Sequence, residues 1–486
     1  MSRYTKNYGK FYCDIQALHP EVTGSCLLCV VKLPDGKKFK FLVDCGLFQE
    51  DAYRELNKIL PFRANDVSFV LVTHNHIDHV GRLALLSRRG YCGKFYASED
   101  TCRLLPLSLR DSARIVASNC KAHNEEILYE EDDVNNVIYN LQPVVAREQF
   151  TPHENVTVTA LRNNHLVGAF SYLVQIKYSG FQSINILFTG DLKTENIFLE
   201  EASVPTWIRD LPLTIVTEST YGNEKTTGVP EFRKNIKDAL DRGGTVVVPV
   251  ISLGRTQEVL YVLKQLQDEE MISSDIPIYL DGKLAIAYTN VYSKGVLSSI
   301  KPSMVDFIPK NFHPIDGDKK VKRREVKADP SQKIILCSSG MGTYGSSPSY
   351  IQHYIQQKDA LIHFCCYCTE NTVGRTLKEA KEGTNVEVCG LTVEKRAEVK
   401  YTDEFSGHAH EKELIEYLSC FNDIKLLAIN HGERDAKRQF AHDVYKEILP
   451  KNVFILDREN AVRINSFGFE KSLPLDFNFR AFRTKF

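Results

Sequence analysis

The stretch His74-Asn75-His76-Ile77-Asp78-His79 places three imidazoles and one carboxylate within six consecutive residues. It follows an apolar run at residues 67–72 that is typical of a buried strand, and it leads into a helical pattern at residues 80–87. A strand that ends in a tight turn before a helix can direct several side chains into one small space. The stretch therefore predicts a metal centre at the end of a strand.

The spacing within this stretch divides its ligands between two metal positions. Side chains two residues apart in an extended segment point to the same side, so His74 and His76 can bind one ion. Beyond the turn, Asp78 and His79 face a neighbouring position. Imidazole and carboxylate are ligands that zinc prefers, so we expect two zinc ions, with other divalent metals left open.

Two later strand ends offer the ligands that such a centre still needs. His165 follows one apolar run and can complete the first metal position, whereas Asp191 follows another run and can bridge both positions. Apolar β-like runs alternate with helical patterns in this part of the chain. That alternation predicts layered α/β structure in which several strand ends converge.

The bulk composition limits the class of protein. With 486 residues, 43% of them hydrophobic and 25% charged, the chain has the composition of a globular protein with about two or three domains. No apolar stretch approaches the roughly 18 residues that a membrane span needs, and residues 1–7 do not resemble a signal segment. We therefore expect a cytoplasmic protein with no membrane partner, whose cysteines remain thiols.

A net charge of −1 gives no overall attraction to nucleic acid, but one segment is strongly basic. The basic side chains in this segment are Lys319, Lys320, Lys322, Arg323, Arg324 and Lys327. The polar composition of residues 309–330 favours a loop or a mobile insertion, and a phosphate-contacting role is the alternative.

The metal-ligating pattern resembles that of the metallo-β-lactamase superfamily. The resemblance rests on His74-x-His76-x-Asp78-His79, on the later His165, and on Thr189-Gly190-Asp191. Leu42-Val43-Asp44-Cys45-Gly46 resembles the first motif of that family. This implies that Asp44 lies behind the metals and orients one of their ligands.

Four further motifs resemble the β-CASP branch of that superfamily, whose members process nucleic acids. They are Thr217-Glu218-Ser219-Thr220-Tyr221-Gly222, Pro249 with residues 251–258, Ser338-Ser339-Gly340-Met341, and Phe405-Ser406-Gly407-His408-Ala409-His410. The resemblance implies an α/β fold, a metallo-β-lactamase αββα sandwich with an inserted β-CASP α/β cap domain. The expected domains are residues 1–209 for the first part of the sandwich, 210–385 for the cap, and 386–486 for the returning part and the C-terminal tail.

The resemblance also implies roles for individual residues. His408 is expected to complete the second metal position, and Glu218 to orient the catalytic groups. Asp78 and Asp191 are expected to balance the charge of the metals as well as to bind them. His431 resembles a family residue near the site, with a structural histidine as the alternative. The complete expected ligand set is His74, His76, Asp78, His79, His165, Asp191 and His408.

Donors for the phosphate oxygens of a substrate are expected in the cap. Gly254 allows close approach of the backbone, and Arg255 can make a paired contact. Ser338, Ser339 and Gly340 offer hydroxyl and amide donors. A buried ion pair is the alternative reading of Arg255.

Two positions depart from the family pattern. Thr376 stands where nuclease members usually carry a histidine that protonates the leaving oxygen. His410 stands where an acid usually follows the late histidine. Three explanations stay open: His410 supplies the missing acid, the substrate has a better leaving group or is altered, or the enzyme is weakened and depends on a partner.

The resemblance implies a zinc-dependent phosphodiester hydrolase that acts on RNA. A hydroxide activated by two metals would attack the phosphate in the cleft between the two domains. Single-stranded RNA is the expected partner, while DNA as a substrate and a homodimer stay open, as does endonuclease against exonuclease action. The alternatives are a non-catalytic or partner-dependent RNA-binding member, and a hydrolase of a different phosphodiester or a small-molecule ester.

Overall fold

The computed structural model describes residues 10–19, 21–49, 51–225, 228 and 230–474, so residues 1–7 lie outside the described part. The β-strands are β1 (Tyr12–Ala17), β2 (Leu27–Lys32), β3 (Lys38–Val43), β4 (Val67–Leu71), β5 (Phe95–Ser98), β6 (Leu141–Val144), β7 (Gln149–His153), β8 (Val156–Arg162), β9 (Phe170–Ile176), β10 (Ile184–Phe188), β11 (Leu213–Thr217), β12 (Val246–Pro249), β13 (Ile278–Asp281), β14 (Phe312–Pro314), β15 (Ile334–Cys337), β16 (Leu361–Phe364), β17 (Asn385–Val388), β18 (Leu391–Glu394), β19 (Glu398–Tyr401), β20 (Ile424–Ile429), β21 (Val453–Ile455), β22 (Asn460–Asn465) and β23 (Gly468–Pro474). The α-helices are α1 (Ile77–Val80), α2 (Leu83–Arg88), α3 (Glu99–Ala122), α4 (Glu131–Tyr139), α5 (Thr206–Arg209), α6 (Phe232–Asp241), α7 (Arg255–Asp268), α8 (Lys283–Tyr292), α9 (Lys319–Ala328), α10 (Ser347–Tyr354), α11 (Val373–Glu379), α12 (Glu411–Leu418) and α13 (Arg434–Glu447). Short 3-10 helices lie at Asp51–Lys58, Ala64–Asp66 and Pro302–Met304.

The chain divides into two compact units. The first comprises residues 1–226 and 407–486, and the second comprises residues 227–406. Both changes of unit fall later in the chain than the boundaries at 209/210 and 385/386 expected from the sequence. Strand pairing explains the difference, because β11 pairs with β10 and β20 of the first unit, whereas β19 pairs with β16 of the second.

Two mixed sheets form the centre of the first unit. One has eight strands in the order β23-β22-β1-β2-β3-β4-β5-β6, and the other has seven in the order β21-β20-β11-β10-β9-β8-β7. Residues from both sheets, including Ile15, Phe41, Val158, Tyr172 and Ile186, share one buried apolar core. Because side chains alternate between the two faces of a strand, each sheet can fill this core with one face and pack helices on the other.

Helices cover the outer faces of both sheets. Leu42 and Val70 of the eight-stranded sheet pack in one core with Leu105 of α3. Leu187 of the seven-stranded sheet packs in another core with Phe440 of α13. The layer order of helix, sheet, sheet and helix confirms the αββα sandwich that the sequence predicted.

The second unit is an α/β domain built on a six-stranded sheet with the order β14-β13-β15-β12-β16-β19. All neighbouring strands in this sheet run parallel, so their carboxyl ends lie at one edge. One face of the sheet packs Val247, Ile335 and Ile362 against helices that include α10 and α11. We call the edge formed by the strand ends the carboxyl edge, where open α/β sheets usually bind ligands.

The basic segment of the second unit forms a helix, so the predicted loop is wrong. Residues Lys319–Ala328 are helical as α9. The Asp318 carboxylate caps this helix by accepting hydrogen bonds from the backbone N–H groups of Lys320 and Val321. Val326 is buried in the core of the unit. The segment has too few apolar residues to show the three- and four-residue spacing by which a helix is recognised in a sequence.

Two features of the whole chain bear on its class. Of the helices that the structure describes, none is both long and apolar enough to cross a membrane. All thirteen cysteines are free thiols, and most are buried, as expected for cysteines that act as small apolar residues.

Candidate metal centre

The expected ligands converge at one edge of the two sheets of the first unit. In the eight-stranded sheet, β3 and β4 run parallel. In the other sheet, β8, β10, β11 and β20 all point the same way, because β9 is antiparallel to both β8 and β10. The residues that follow these strands are Asp44 after β3, His74 and His76 after β4, His165 after β8, Asp191 after β10, Glu218 after β11 and His431 after β20. Strand topology alone therefore brings these side chains to one place.

Two glycines allow the loops at this edge to approach each other closely. A Cβ atom on Gly46 would lie 1.5 Å from the backbone oxygen of Asp78, so the loop after β3 runs directly against the ligand segment. Gly190 has a φ of 60°, and a Cβ there would lie 2.9 Å from Cβ of Thr73. These glycines let the loop carrying Asp44 and the loop carrying Asp191 reach the centre.

The first group of candidate ligands consists of His74, His76, His165 and Asp191, whose donor atoms all lie within 4.8 Å of one another. Nε2 of His165 lies 3.1 Å from Nδ1 of His76. Oδ2 of Asp191 lies 3.5 Å from Nε2 of His74 and 3.7 Å from Nε2 of His165. These are the four residues that the sequence assigned to the first position and the bridge.

The second group consists of Asp78, His79, Asp191 and His431, again with donor atoms within 4.8 Å of one another. Nε2 of His79 lies 3.3 Å from Oδ2 of Asp191 and 3.6 Å from Oδ2 of Asp78. Nε2 of His431 lies 3.3 Å from Nε2 of His79. Asp191 is common to both groups, so it lies where a bridging carboxylate would.

The donor set fits a divalent cation. Imidazole nitrogens face one another at 3.1 Å in the first group and at 3.3 Å in the second. Among the described residues, Nε2 of His74 and Oδ1 of Asp191 are buried without a hydrogen-bond partner. Buried polar atoms are nearly always satisfied, and an ion between these atoms would satisfy them. Nitrogen and carboxylate donors are those that zinc prefers.

Asp44 and Thr73 hydrogen-bond to candidate ligands on the side away from the proposed metals. Asp44 accepts hydrogen bonds from the backbone N–H of Thr73 at 2.8 Å and from its hydroxyl at 2.7 Å. Oδ2 of Asp44 also lies 2.8 Å from Nδ1 of His79, so Nε2 of that ring faces the candidate ligands. The Thr73 hydroxyl lies 3.0 Å from Nδ1 of His74. Sequence reasoning foresaw the placement of Asp44 but missed Thr73, whose only signal was its position before the first histidine.

Burial and neighbouring charges prepare three of the candidate ligands, His74, His165 and Asp191, for metal binding. Burial lowers the pKa of His74 and of His165 well below the usual value, so both rings offer a neutral nitrogen. Burial alone would raise the pKa of Asp191. The nearby His431 and His79 outweigh that effect and hold the pKa of Asp191 well below its usual range. The shared carboxylate is therefore charged.

The structure brings His408 and His431 together beside the candidate ligands, with their ring centroids 5.9 Å apart. His431, predicted to stand behind the metals, lies within the second group. His408 lies outside both groups of four, but it forms a third group with Glu218 and His431, whose donor atoms also lie within 4.8 Å of one another. Nδ1 of His408 lies 2.8 Å from Oε2 of Glu218, and its ring centroid is 4.9 Å from that of His165. The reason is topological: His431 directly follows β20, while His408 lies in the loop before α12.

His410 is engaged in the structure around α12. Its ring stacks on Tyr221 with centroids 4.7 Å apart and an angle of 6° between the planes. Its backbone N–H donates to Glu413 at 3.0 Å, and its Nδ1 lies 3.5 Å from the same carboxylate. These contacts fix the His410 ring against Tyr221 and α12, and the acid role, one of the three explanations, stays a prediction.

The predicted substrate residues lie in the second unit. Arg255, at the start of α7, is buried and pairs with Glu258 at 2.7 Å, which is the ion pair weighed as its alternative role. Ser338, Ser339 and Gly340 form a loop at the carboxyl edge after β15. The loop is held by backbone hydrogen bonds, including one from Ser339 N–H to the Tyr344 carbonyl at 3.0 Å.

Thr376 also lies in the second unit, within α11. Its hydroxyl donates to the carbonyl of Thr372 at 3.1 Å, a contact that belongs to the helix itself. The structure therefore gives Thr376 no feature of a proton donor beyond its hydroxyl.

Comparison with known proteins matches the chain in three parts. Residues 23–155 match the metallo-β-lactamase superfamily, and residues 256–377 match the β-CASP domain. Residues 392–456, which include His408 and His431, match the Zn-dependent metallo-hydrolase RNA specificity domain. The order of the three matches is the order of the motifs along the sequence.

Individual relatives cover most of the chain. A transcription termination factor FttA of Methanocaldococcus jannaschii is 28% identical over 466 residues, which span 91% of this chain and 70% of the relative. A ribonuclease of Thermus thermophilus is 28% identical over 431 residues, spanning 85% of this chain and 91% of the relative. The FttA of Pyrococcus abyssi is 32% identical over 368 residues, spanning 72% of this chain and 55% of the relative.

Proposed function

We propose that this chain cleaves phosphodiester bonds of single-stranded RNA with two zinc ions in the first unit. The chain belongs to the metallo-β-lactamase/β-CASP family of RNA-processing metallo-hydrolases. The matched RNA specificity domain and the Thermus thermophilus ribonuclease support RNA as the substrate. The activity, the metal and its stoichiometry are the parts of this proposal that experiment must test.

The observation that carries the proposal is the shared carboxylate of Asp191. Its Oδ2 lies 3.5 Å from Nε2 of His74 in the first group and 3.3 Å from Nε2 of His79 in the second. We assign His74, His76, His165 and Asp191 to one zinc ion, and Asp78, His79, Asp191 and His431 to the other. Paired zinc ions supply Lewis-acid stabilisation of phosphate charge and lower the pKa of water.

We assign the proton transfer to the leaving oxygen to His408, supported by Glu218. The Glu218 carboxylate lies 2.8 Å from Nδ1 of His408, which fixes the orientation of the ring. The other oxygen of Glu218 accepts a hydrogen bond from the backbone N–H of Leu192, the residue after Asp191. This hydrogen bond holds the Glu218 carboxylate in place. His408 is also partly exposed, with 20% of its side chain accessible, as a residue that meets a substrate must be.

The experiment compares three histidine variants for zinc content and for cleavage of end-labelled single-stranded RNA. We expect about two zinc ions in the wild type, about one in His431→Ala, and about two in His408→Ala. His431→Ala and His408→Ala should each cleave RNA at least about a hundredfold more slowly than the wild type, because each lacks a different catalytic component. His442→Ala, which changes an exposed histidine of α13, is the matched control and should behave as the wild type.

Full cleavage by His408→Ala would contradict the proton-transfer assignment, and full zinc content in His431→Ala would contradict the ligand assignment. The product ladder distinguishes internal cleavage from cleavage at an end. A single-stranded DNA of the same sequence tests whether the sugar matters.

A partner-dependent member is the second candidate, favoured by the contacts that occupy His410 and by the absence of a proton donor in Thr376 beyond its hydroxyl. A chain that binds zinc but cleaves neither RNA nor DNA alone would support this candidate. Hydrolysis of a simple thioester or carboxylic ester in place of a phosphodiester would instead support a small-molecule hydrolase.

A further inference from the structure

Asp281, the last residue of β13, joins two elements at the carboxyl edge of the second unit. Its carboxylate is fully buried and accepts hydrogen bonds from Nη2 of Arg323 at 2.9 Å and from the Tyr350 hydroxyl at 3.0 Å. Its backbone carbonyl accepts from the N–H of Ser338 at 3.2 Å and from the hydroxyl of Ser346. Asp281 therefore holds α9, which carries Arg323, beside the loop that follows β15.

One side of α9 is basic. Lys320, Arg324 and Lys327 are spaced by four and three residues, so they lie along the same side of the helix. Val326 marks the buried side. Nζ of Lys327 donates to the hydroxyl of Ser349 in α10 at 3.0 Å, so this basic side borders α10, the helix that begins after the β15 loop.

The two exposed cations on the basic side of α9 have no acidic partner among the residues that the structure describes. Within the part of the chain that the structure describes, Lys320 and Arg324 form no ion pair, whereas Lys322 on another side of the helix pairs with Asp316 at 2.8 Å. Burial and two neighbouring arginines lower the pKa of Lys327. Asp281 compensates only Arg323 among these charges, and a phosphate bound beside Lys320, Arg324 and Lys327 would relieve the repulsion that remains.

Two tyrosines are exposed on neighbouring loops of the same carboxyl edge. Tyr344, in the loop after β15, is 67% exposed, and Tyr367, in the loop after β16, is 39% exposed. The loop after β16 leads into α11, and the N–H of Gly374 in the first turn of α11 donates to the carbonyl of Met341 in the other loop at 2.9 Å. Rings exposed to this extent on anchored loops offer flat apolar faces to a ligand.

We propose that these features form one binding strip for single-stranded RNA, in which the basic side of α9 contacts phosphates and the two tyrosines stack on bases. The basic–tyrosine strip consists of Lys320, Arg324, Lys327, Tyr344 and Tyr367. This inference rests on the proposed function and deepens it, since it names residues of the second unit that would hold the RNA. Sites for single strands combine a positive track with aromatic platforms, and a duplex offers phosphates without free base faces.

Binding is measured so that cleavage does not enter. The full chain carrying Asp78→Asn is loaded with zinc, and the anisotropy of a labelled single-stranded RNA of about twelve nucleotides reports its Kd. Tyr344→Ala with Tyr367→Ala should raise Kd at least about tenfold, because each ring stacks on a base. Tyr344→Phe with Tyr367→Phe keeps the rings and should stay within about twofold of the parent chain. Tyr445→Ala, at a tyrosine of α13 that is 60% exposed, is the matched control and should leave Kd unchanged.

The charges are tested by the salt dependence of the same Kd. Lys320→Gln with Arg324→Gln should reduce the slope of log affinity against log salt by about 1.4, since each phosphate contact to a single strand contributes about 0.7. Lys234→Gln with Lys237→Gln removes two lysines of α6 that already pair with Asp238 and Asp241. This control should leave the slope unchanged.

The outcomes separate the strip from the nuclease. Unchanged affinity in the tyrosine and charge variants would overturn the strip, even if the wild-type chain cleaves RNA. Lost affinity in these variants would support the strip, even if the wild-type chain cleaves nothing. Equal losses with single-stranded DNA would support a strip that recognises single strands of either sugar. A loss as large with duplex RNA as with single-stranded RNA would overturn the stacking role of the tyrosines.

Discussion

Asp191 is the residue that the two candidate ligand groups share. Its Oδ2 lies 3.3 Å from a ring nitrogen of His79 and 3.7 Å from one of His165, so a single oxygen reaches both groups. Gly190 makes this reach possible, because its φ of 60° turns the chain sharply at the end of β10. The chemistry of the centre thus depends on one backbone turn as much as on the ligands themselves.

Asp44 is expected to control zinc affinity without binding zinc. We predict that Asp44→Asn weakens zinc binding about 10- to 100-fold, because the hydrogen bond that fixes the His79 ring loses its charge. Competition with a chromogenic chelator measures the zinc affinity. Asp35→Asn changes an exposed aspartate in the turn between β2 and β3 and should leave that affinity unchanged. Equal affinities in the two variants would refute the role of Asp44.

Gly46 is expected to tolerate no side chain. A Cβ in Gly46→Ala would lie 1.5 Å from the backbone oxygen of Asp78, so one of the two loops must move. We predict a loss of at least about 3 kcal/mol in the free energy of unfolding, as for other severe overpacking in a core. Urea unfolding measures this loss. Gly90→Ala is the matched comparison, because its Cβ would meet nothing within 4 Å and only the strain of a φ of +98° remains. The free energy of unfolding should fall by about 1 kcal/mol in this variant.

At the scale of elements, Glu413 links α12 to the loop that carries Asp191. Its carboxylate accepts hydrogen bonds from the His410 N–H at 3.0 Å and the Thr194 hydroxyl at 2.6 Å, and it pairs with Lys193 at 2.9 Å. Burial alone would raise the pKa of Glu413. These three partners outweigh burial and hold its pKa well below the usual value.

This depressed pKa predicts a pH-dependent contribution to stability. A carboxyl group with a lower pKa in the folded state stabilises the fold above its unfolded pKa, and this contribution is lost as the pH falls towards the folded value. We predict that Glu413→Gln costs about 1–3 kcal/mol at pH 7 and that the difference from the wild type shrinks below about pH 4.5. Urea unfolding at pH 7, 5 and 3.5 measures it. Glu416→Gln, an exposed position on the same helix, should cost little at any pH. A penalty for Glu413→Gln that does not change with pH would exclude the ionic explanation.

The candidate ligands at the strand ends could be named from the sequence because their signals are local. His74, His165 and Asp191 each follow an apolar run whose strand character can be read within a few residues. His431 also follows such a run, yet its place in the second group depends on the pairing of β20 with β11. That pairing joins distant parts of the chain, and the late motif around His408 is the more conspicuous one. The apolar run before His431 was the signal that could have found it.

Helix α9 shows the opposite failure, in which composition concealed an element. Charged residues dominate the segment, and Val326 is its one buried residue. The helix is stabilised by the Asp318 cap and by the pairing of Arg323 with the buried carboxylate of Asp281. The second of these contacts is tertiary, so no local reading of the basic run could have revealed it.

At the scale of the whole molecule, the candidate metal centre joins two separate stretches of chain. The candidate ligands come from residues 74–191 and from His431, and all of them lie in the first unit, while residues 227–406 form the second. An ion that binds only the folded centre stabilises the unit that contains it. Metal removal is therefore expected to affect the two units unequally.

We predict two transitions in calorimetry and a selective effect of chelation on one of them. Removing zinc should lower the Tm of the first unit by roughly 5–10 °C, which corresponds to about 4 kcal/mol of lost binding free energy, and should leave the second transition in place. Hydrogen exchange of peptides from β4 and β20, compared with peptides from β12 and β15, assigns each transition to its unit. Asp281→Asn provides the reciprocal variant, because it weakens the buried pair with Arg323 and should lower the Tm of the second unit alone. Equal shifts of both transitions on chelation would contradict a centre built wholly within the first unit. A bound zinc ion stabilises only the folded unit that holds its ligands, so the second transition should not move with the first.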